Sequence, residues 1–301
     1  METACTNVAG FRELYEKFRQ KITVAGRGES TLRNYSHHLA KLALHFNDLP
    51  TQVDPEQIND YLYLVKQQHN TPSDSYFKFT VYALRFAYRM EGLRDKRIEL
   101  PSIKRDKRLP VVLSREEVRR LLKAPKLLKH RVLIGLLYGC GLRCFEVRNL
   151  KISDLDFDRR MLHVRQGKGK KDRYVPLSAI LSRGLKAYIE AEKPSAWLFN
   201  GREQEINGRA GGDFDSRYSQ RGVQWALKQA KKDAGITKDM TVHTLRHTYA
   251  THLLEEGLDI MTIKELLGHE CIDTTMVYLH VAQSGRVRPF SPLDRLYPMA
   301  E

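Results

Sequence analysis

Six side chains, Arg143, Lys168, His243, Arg246, His269 and Tyr278, stand in five short settings along the chain. In order these are Gly-Cys-Gly-Leu-Arg143-Cys-Phe-Glu146, Gly-Lys168-Gly-Lys-Lys, His243-Thr-Leu-Arg246-His247, Leu-Gly268-His269 and Thr274-Thr275-Met-Val-Tyr278. Two guanidiniums, an ammonium, imidazoles and a phenol can together hold a phosphodiester, attack it and protonate what leaves. A planar, always-charged guanidinium suits two phosphate oxygens. A phenol is a competent nucleophile where cations stabilise the incoming negative charge.

Each setting predicts an element that must hold its residue. Gly139 and Gly141 let the backbone approach closely ahead of Arg143, and Glu146, three residues on, shares its helix face and can orient it. The plain alternative is a structural ion pair. Lys168 sits in a tight Gly-Lys-Gly turn between two strands, where it can enter a groove and protonate a leaving alkoxide. Lys170 and Lys171 are equally placed for phosphate contacts, so the residues themselves leave the choice among the three open.

His243, Arg246 and His247 fall at i, i+3 and i+4 of one helix and share a face. Histidines four apart also suit a zinc helix. That reading lacks a glutamate after the first histidine and puts a cationic arginine between the ligands, so no metal is expected. His247 and His252 read as core histidines. Gly268-His269 ends a helix. Thr274 and Thr275 are expected to cap the short helix that carries Tyr278. Asp154-Leu-Asp156-Phe-Asp158 has the opening of a calcium loop, but Arg159 stands where glycine is needed and Arg165 where glutamate is. Leu155 and Phe157 alternate as in a strand.

The chain of 301 residues has room for two domains, and its net charge of +15 favours a polyanionic partner. Both the first hundred residues and the remainder carry the excess. Cys5, Cys140, Cys144 and Cys271 form no Cys-x-x-Cys pair and no disulfide framework, which implies a reducing, intracellular setting. Cys140 and Cys144, four apart, read as small core residues of one helix. No signal peptide or membrane span is expected.

Four helices are predicted in the first hundred residues. One starts at Phe11. A second is capped by Ser30 or Thr31, with Leu32, Tyr35, Leu39, Leu42 and Phe46 as its stripe. A third starts at Asp54-Pro55, and a fourth runs from Ser73 or Asp74 to about Met90. Residues 101–112 read as a basic linker, in which Lys104, Arg105, Lys107 and Arg108 are candidate DNA contacts. Ser114-Arg-Glu-Glu117 is a capping box. Strands are expected at Met161–Arg165 and Arg173–Leu177, and helices from Ala179 to about residue 280.

Over roughly residues 111–285 these motifs, in this order, make the chain resemble the tyrosine recombinases, of the Xer-like and phage-integrase kind. The resemblance implies a mainly helical protein with a small antiparallel β-sheet. It implies a two-domain DNA clamp: a helical core-binding domain at 1–100, a linker at 101–112, a catalytic domain at 113–285 and a tail at 286–301 that docks on a neighbouring subunit or folds back on its own domain. It implies roles as well. Arg143 and Arg246 clamp the scissile phosphate, and Lys168 is the acid toward the leaving 5′-hydroxyl. His243 assists phosphate binding and proton transfer, and His269 hydrogen-bonds the phosphate. Tyr278 forms a 3′-phosphotyrosyl link, and Glu146 supports the clamp.

The implied function is site-specific DNA recombination without a cofactor, by a homotetramer on two double-stranded DNA sites. Accessory DNA-bending proteins and a cytoplasmic, nucleoid-associated setting in a prokaryote fit the same picture. The basic linker, a glycine-rich loop at 207–212 and the tail lean toward the integrase of a mobile element. The alternatives are a nicking or relaxing topoisomerase of the same chemistry and a catalytically silent DNA-binding regulator.

Overall fold

Phe11, Leu14, Phe18 and Ile22 recur at helical spacing and all are buried. They form one stripe of the first of two compact units, Met1–Asp106 and Lys107–Glu301, in the computed structural model. The structure describes residues 1–67, 74–98, 109–165, 172–201 and 217–282. The candidate residues Lys104, Arg105, Lys107, Arg108, Lys168, Lys170 and Lys171, the loop at 207–212 and the tail at 286–301 lie outside them.

The first unit contains α1 (Glu2–Asn7), α2 (Phe11–Val24), α3 (Glu29–Phe46), α4 (Pro55–Gln67) and α5 (Asp74–Met90). Phe18, Ile22, Leu42, Ile58, Leu84 and Tyr88 meet in its core, where Phe18 meets Phe86 edge-on at 5.1 Å. Each large apolar side chain fully buried this way contributes about 1.5–3 kcal/mol. Helix α1 was not expected. It is shorter than two turns, too short to show a period, and it is held by burial of Ala4 against α2 and α3. The expected cap of α3 is also corrected: the helix opens earlier, at Glu29, with extended Gly28 as N-cap and no side-chain cap bond. An acidic residue in the first turn suits the helix dipole there.

The second unit opens as expected. Ser114 accepts a hydrogen bond from the Glu117 amide, and the Glu117 carboxylate accepts one from the Ser114 amide, at the start of α6 (Arg115–Lys123). Next come α7 (Leu128–Gly139) and α8 (Cys144–Arg148). Cys140 and Cys144 do not share a helix. Gly141 between them has φ +59°, and a Cβ there would lie 2.5 Å from the Tyr249 ring. Only glycine satisfies both conditions, and the turn it makes ends α7 and starts α8.

The sheet is antiparallel in the order β1 (Leu155–Asp156), β2 (Met161–Val164), β3 (Arg173–Pro176). The two expected strands are each one residue shorter than read, and β1 is added. Val164 pairs with Arg173, which fixes the end of the sheet next to the expected lysine turn. Asp154, which opens the acidic run, accepts hydrogen bonds from Arg165 Nε at 2.5 Å and the Lys151 amide at 2.9 Å.

Helices α9 (Ala179–Glu192), α10 (Gln220–Asp233), α11 (Val242–Glu255), α12 (Ile260–Leu267) and α13 (Asp273–Met276) follow, and a 3₁₀ turn, Val277–His280, closes the described chain. Helix α11 is buried on most of its circumference, which explains its weak amphipathic signal. Thr248 Oγ1 accepts from the Leu113 amide, and His252 Nε2 bonds the Leu113 carbonyl. His252 is thus the core histidine it was read to be. Among the described residues no helix is long and apolar enough to cross a membrane.

Candidate active site

Arg143 is the N-cap of α8, placed there by the Gly141 turn. Its Nη1 donates to Glu146 Oε1 at 2.7 Å, and its amide donates to Oε2 at 2.8 Å. Its Nη2 lies 3.4 Å from the Gly268 carbonyl. Arg246, on α11, is 3 % exposed. Its Nη1 donates to the Gly141 carbonyl at 2.7 Å and its Nη2 donates to the Leu267 carbonyl. One guanidinium therefore ties the turn before α8 to the end of α12. Burial, with Arg143 and Arg173 nearby, pulls it down to about 9, so it keeps its charge at neutral pH.

Glu146 does more than orient Arg143. Arg173, at the start of β3, donates from Nη1 and Nη2 to the two oxygens of Glu146, each at 2.9 Å, and from Nε to the Leu266 carbonyl. Arg246 Nη1 is 3.9 Å from the same carboxylate. One buried anion thus collects three guanidiniums. Burial alone would push its carboxyl up. The hydrogen bonds and charge of Arg173, with those of Arg143, take it down instead, to about 2.

A carboxyl depressed on folding contributes stability above its unfolded value, lost as pH falls through the folded one. The depression of Glu146 corresponds to about 3 kcal/mol. Glu146→Gln should therefore lower stability by about 3 kcal/mol at neutral pH, and the gap to wild type should close as pH falls from 4.5 toward 2. Denaturant melts across that range measure it. A gap that does not change with pH would mean the loss is one of packing.

His269 and His247 are each oriented by a hydrogen bond. His269 follows Gly268, the left-handed C-cap of α12, and its Nδ1 bonds Thr275 Oγ1 at 2.9 Å. The expected threonine cap is thereby corrected: α13 starts at Asp273 without a side-chain cap, and Thr275 is buried within it, holding His269. Burial, with Arg246 and Arg143, pushes His269 down to about 3. Burial and the same two arginines also lower His243. His247 is not the core histidine it was read to be. It lines the cavity, and its Nδ1 lies 3.1 Å from the Tyr278 hydroxyl. Position i+4 from His243 puts it on the face that looks into the site.

Tyr278 sits on the 3₁₀ turn, with its ring packed among Tyr249, Ile263 and Leu267. Burial raises its phenol above the ordinary value and outweighs the pull of Arg246 and Arg143. Arg143, His243, Arg246, His247, Gly268, His269, Glu270, Cys271, Thr274 and Tyr278 line one cavity of about 490 Å³. Of the six residues singled out in the sequence, five thus line one space, and Lys168 lies outside the described residues. Sequence reasoning missed Arg173, Thr275 and the place of His247. Among the described residues no group of three or more His, Cys, Asp or Glu could hold a metal ion.

The cavity is lined by two guanidiniums and a phenol, a set suited to one tetrahedral anion. The model of the phage integrase family matches residues 111–284. Tyrosine recombinase XerA of Thermococcus kodakarensis is 36% identical over 273 residues, 89% of this chain and 91% of that protein. A crystal structure of XerA recombinase is 27% identical with a TM-score of 0.50, covering 89% of this chain and 93% of that one. The fold is also that of the XerH site-specific recombinase bound to its palindromic difH substrate. That structure has a TM-score of 0.67 at 22% identity, over 86% of this chain and 78% of that one. With its family's model matching more than half of its length, the chain belongs to the phage integrase family and is a tyrosine recombinase.

Proposed function

We propose that the chain recombines DNA at specific sites through Tyr278, which attacks the scissile phosphate and forms a 3′-phosphotyrosyl link. One observation carries this reading: Tyr278 lines the same cavity as Arg143 and Arg246, and its hydroxyl bonds His247 of that cavity. Phosphoryl transfer needs positioning and charge stabilisation more than covalent help. In this reading Arg143 and Arg246 hold the non-bridging oxygens, with Glu146 and Arg173 setting their geometry. His243 and His269 contact the phosphate, and Lys168 protonates the leaving 5′ oxygen. The phosphotyrosine conserves the energy of the broken bond, so a second strand's 5′-hydroxyl can reverse the step without a cofactor. Phosphate contacts by Lys104, Arg105, Lys107, Arg108, Lys170 and Lys171 would give a strongly salt-dependent affinity.

The finer reading is a homotetramer on two duplex sites, the integrase of a mobile element working at the nucleoid of a prokaryote. It is supported by the family resemblance and by the basic linker and tail. The test is a library of nicked duplexes in which cleavage cannot reverse. Adducts are trapped on denaturing gels in the presence of chelator, and the DNA-bearing peptide is identified by mass spectrometry. The expected result is a chelator-resistant adduct on the peptide carrying Tyr278, and the trapped DNA names the site. Tight binding with no adduct on any sequence would turn the reading toward a DNA-binding regulator.

A further inference from the structure

The Tyr278 phenol needs a proton acceptor. Burial holds it as the neutral phenol despite the two arginines nearby, and an O–H that keeps its proton is a poor nucleophile. The acceptor must lie within hydrogen-bond reach of Oη. His247 Nδ1 is there, at 3.1 Å. The rings are 5.7 Å apart and tilted by 53°, so they meet through the hydroxyl and do not stack. The other imidazoles of the cavity are placed differently. His269 Nδ1 is bonded to Thr275 Oγ1, and among the described residues the imidazole hydrogen-bonded to the Tyr278 hydroxyl is that of His247.

We infer that His247 is the catalytic base for Tyr278: it takes the phenolic proton on Nδ1 as Oη attacks phosphorus. This rests on the assignment of Tyr278 as the nucleophile. In the forward step the Oη–P bond forms, the proton passes to His247, the P–O5′ bond breaks, and the 5′ oxygen takes a proton from the acid assigned to Lys168. In the return step the imidazolium gives its proton back to the departing phenolate.

The surroundings make this base dependent on substrate. Burial, then His243 and Arg246, push His247 down to about 4, so the ring is neutral and one nitrogen carries no proton. The charged and titratable groups lining the cavity beside His247 are Arg246 and His243 on α11, Arg143 at the start of α8, and His269, Glu270, Cys271 and Tyr278 beyond α12. A phosphodiester entering among them adds a negative charge, which favours the imidazolium and raises the basicity of His247. Proton abstraction is then strongest when there is a phosphate to attack, and the free protein keeps a quiet tyrosine.

The test is single-turnover cleavage of the nicked duplex by the full chain, with His247→Ala and His247→Asn compared with wild type. Asparagine can keep a hydrogen bond to Tyr278 but cannot take a proton at neutral pH. Both variants should bind DNA as wild type does and cleave about 100-fold more slowly, in the range lost with a general base. A trifluorinated tyrosine at position 278, whose phenol ionises far more readily, should restore most of the rate to His247→Ala. A substrate with sulfur at the 5′ bridging position, whose leaving group needs no acid, should rescue Lys168→Ala but not His247→Ala.

Cleavage by His247→Asn at the wild-type rate would overturn the inference, and so would rescue of His247→Ala by the sulfur substrate instead of the fluorinated tyrosine. If His247→Ala melts early, His247→Asn with the fluorinated tyrosine carries the same comparison. Failure of the underlying reading looks different, because the wild-type chain itself would then form no adduct at Tyr278.

Discussion

Tyr278→Phe should abolish covalent attachment to DNA while leaving DNA binding within a few-fold of wild type. The substitution removes one oxygen, the only atom the proposed chemistry uses. The ring that packs among Tyr249, Ile263 and Leu267 is retained. The structural cost is the hydrogen bond to His247 Nδ1, on the order of 1 kcal/mol. Denaturing gels report the adduct, fluorescence anisotropy the binding and a thermal melt the fold. Binding lost together with the fold would make Tyr278 a core residue. An adduct that survives would point to another nucleophile.

Arg246→Ala should have the second largest effect, slowing cleavage by about 1,000-fold or more, as expected for a lost charge contact in the transition state. It should also cost stability. Its guanidinium is buried, and its removal strands the Gly141 and Leu267 carbonyls and unbalances Glu146. Breaking such a buried arrangement costs about 3–5 kcal/mol. Arg143 provides the contrast. Its side chain is 18% exposed and reaches the cavity from a helix end, so Arg143→Ala should lose cleavage comparably but melt closer to wild type. Single-turnover rates and melts of the two variants together decide the matter. Near-normal cleavage by either would remove that residue from the phosphate clamp.

Local periodicity was the legible part of this chain. His243, Arg246 and His247 share a face because a helix repeats every 3.6 residues, and Arg143 meets Glu146 because a helix start brings i and i+3 together. The stripes of α2 to α5 were readable for the same reason. Contacts made across the fold were not. Arg173 reaches Glu146 from 27 residues away, and only the placement of β3 beside α8 and α12 joins them. Thr275 has the spacing of a cap, yet it is drawn inside by His269. His247 looked like a packing residue, because nothing in its neighbours along the chain says that a tyrosine 31 positions later will bond it. Cys140 and Cys144 were misplaced on one helix because the close packing of Tyr249 on Gly141 is a tertiary fact.

The cluster on Glu146 has a consequence for which state of the substrate is held best. Three guanidiniums face one carboxylate, a surplus of two positive charges. A phosphodiester at rest carries one negative charge. Once the phenol has given up its proton to attack, the reacting group carries two. Counting the guanidiniums and Glu146 alone, the surplus is thus nearer to the charge of DNA in the act of being cut than to that of DNA at rest, which is the condition for binding energy to speed the step instead of merely retaining the substrate. A neutral residue at 146 would raise the surplus to three and spoil that match, tightening the grip on intact DNA while loosening the geometry of the forks. In this sense the acidic side chain, which does not itself line the cavity, sets how much positive charge the substrate meets.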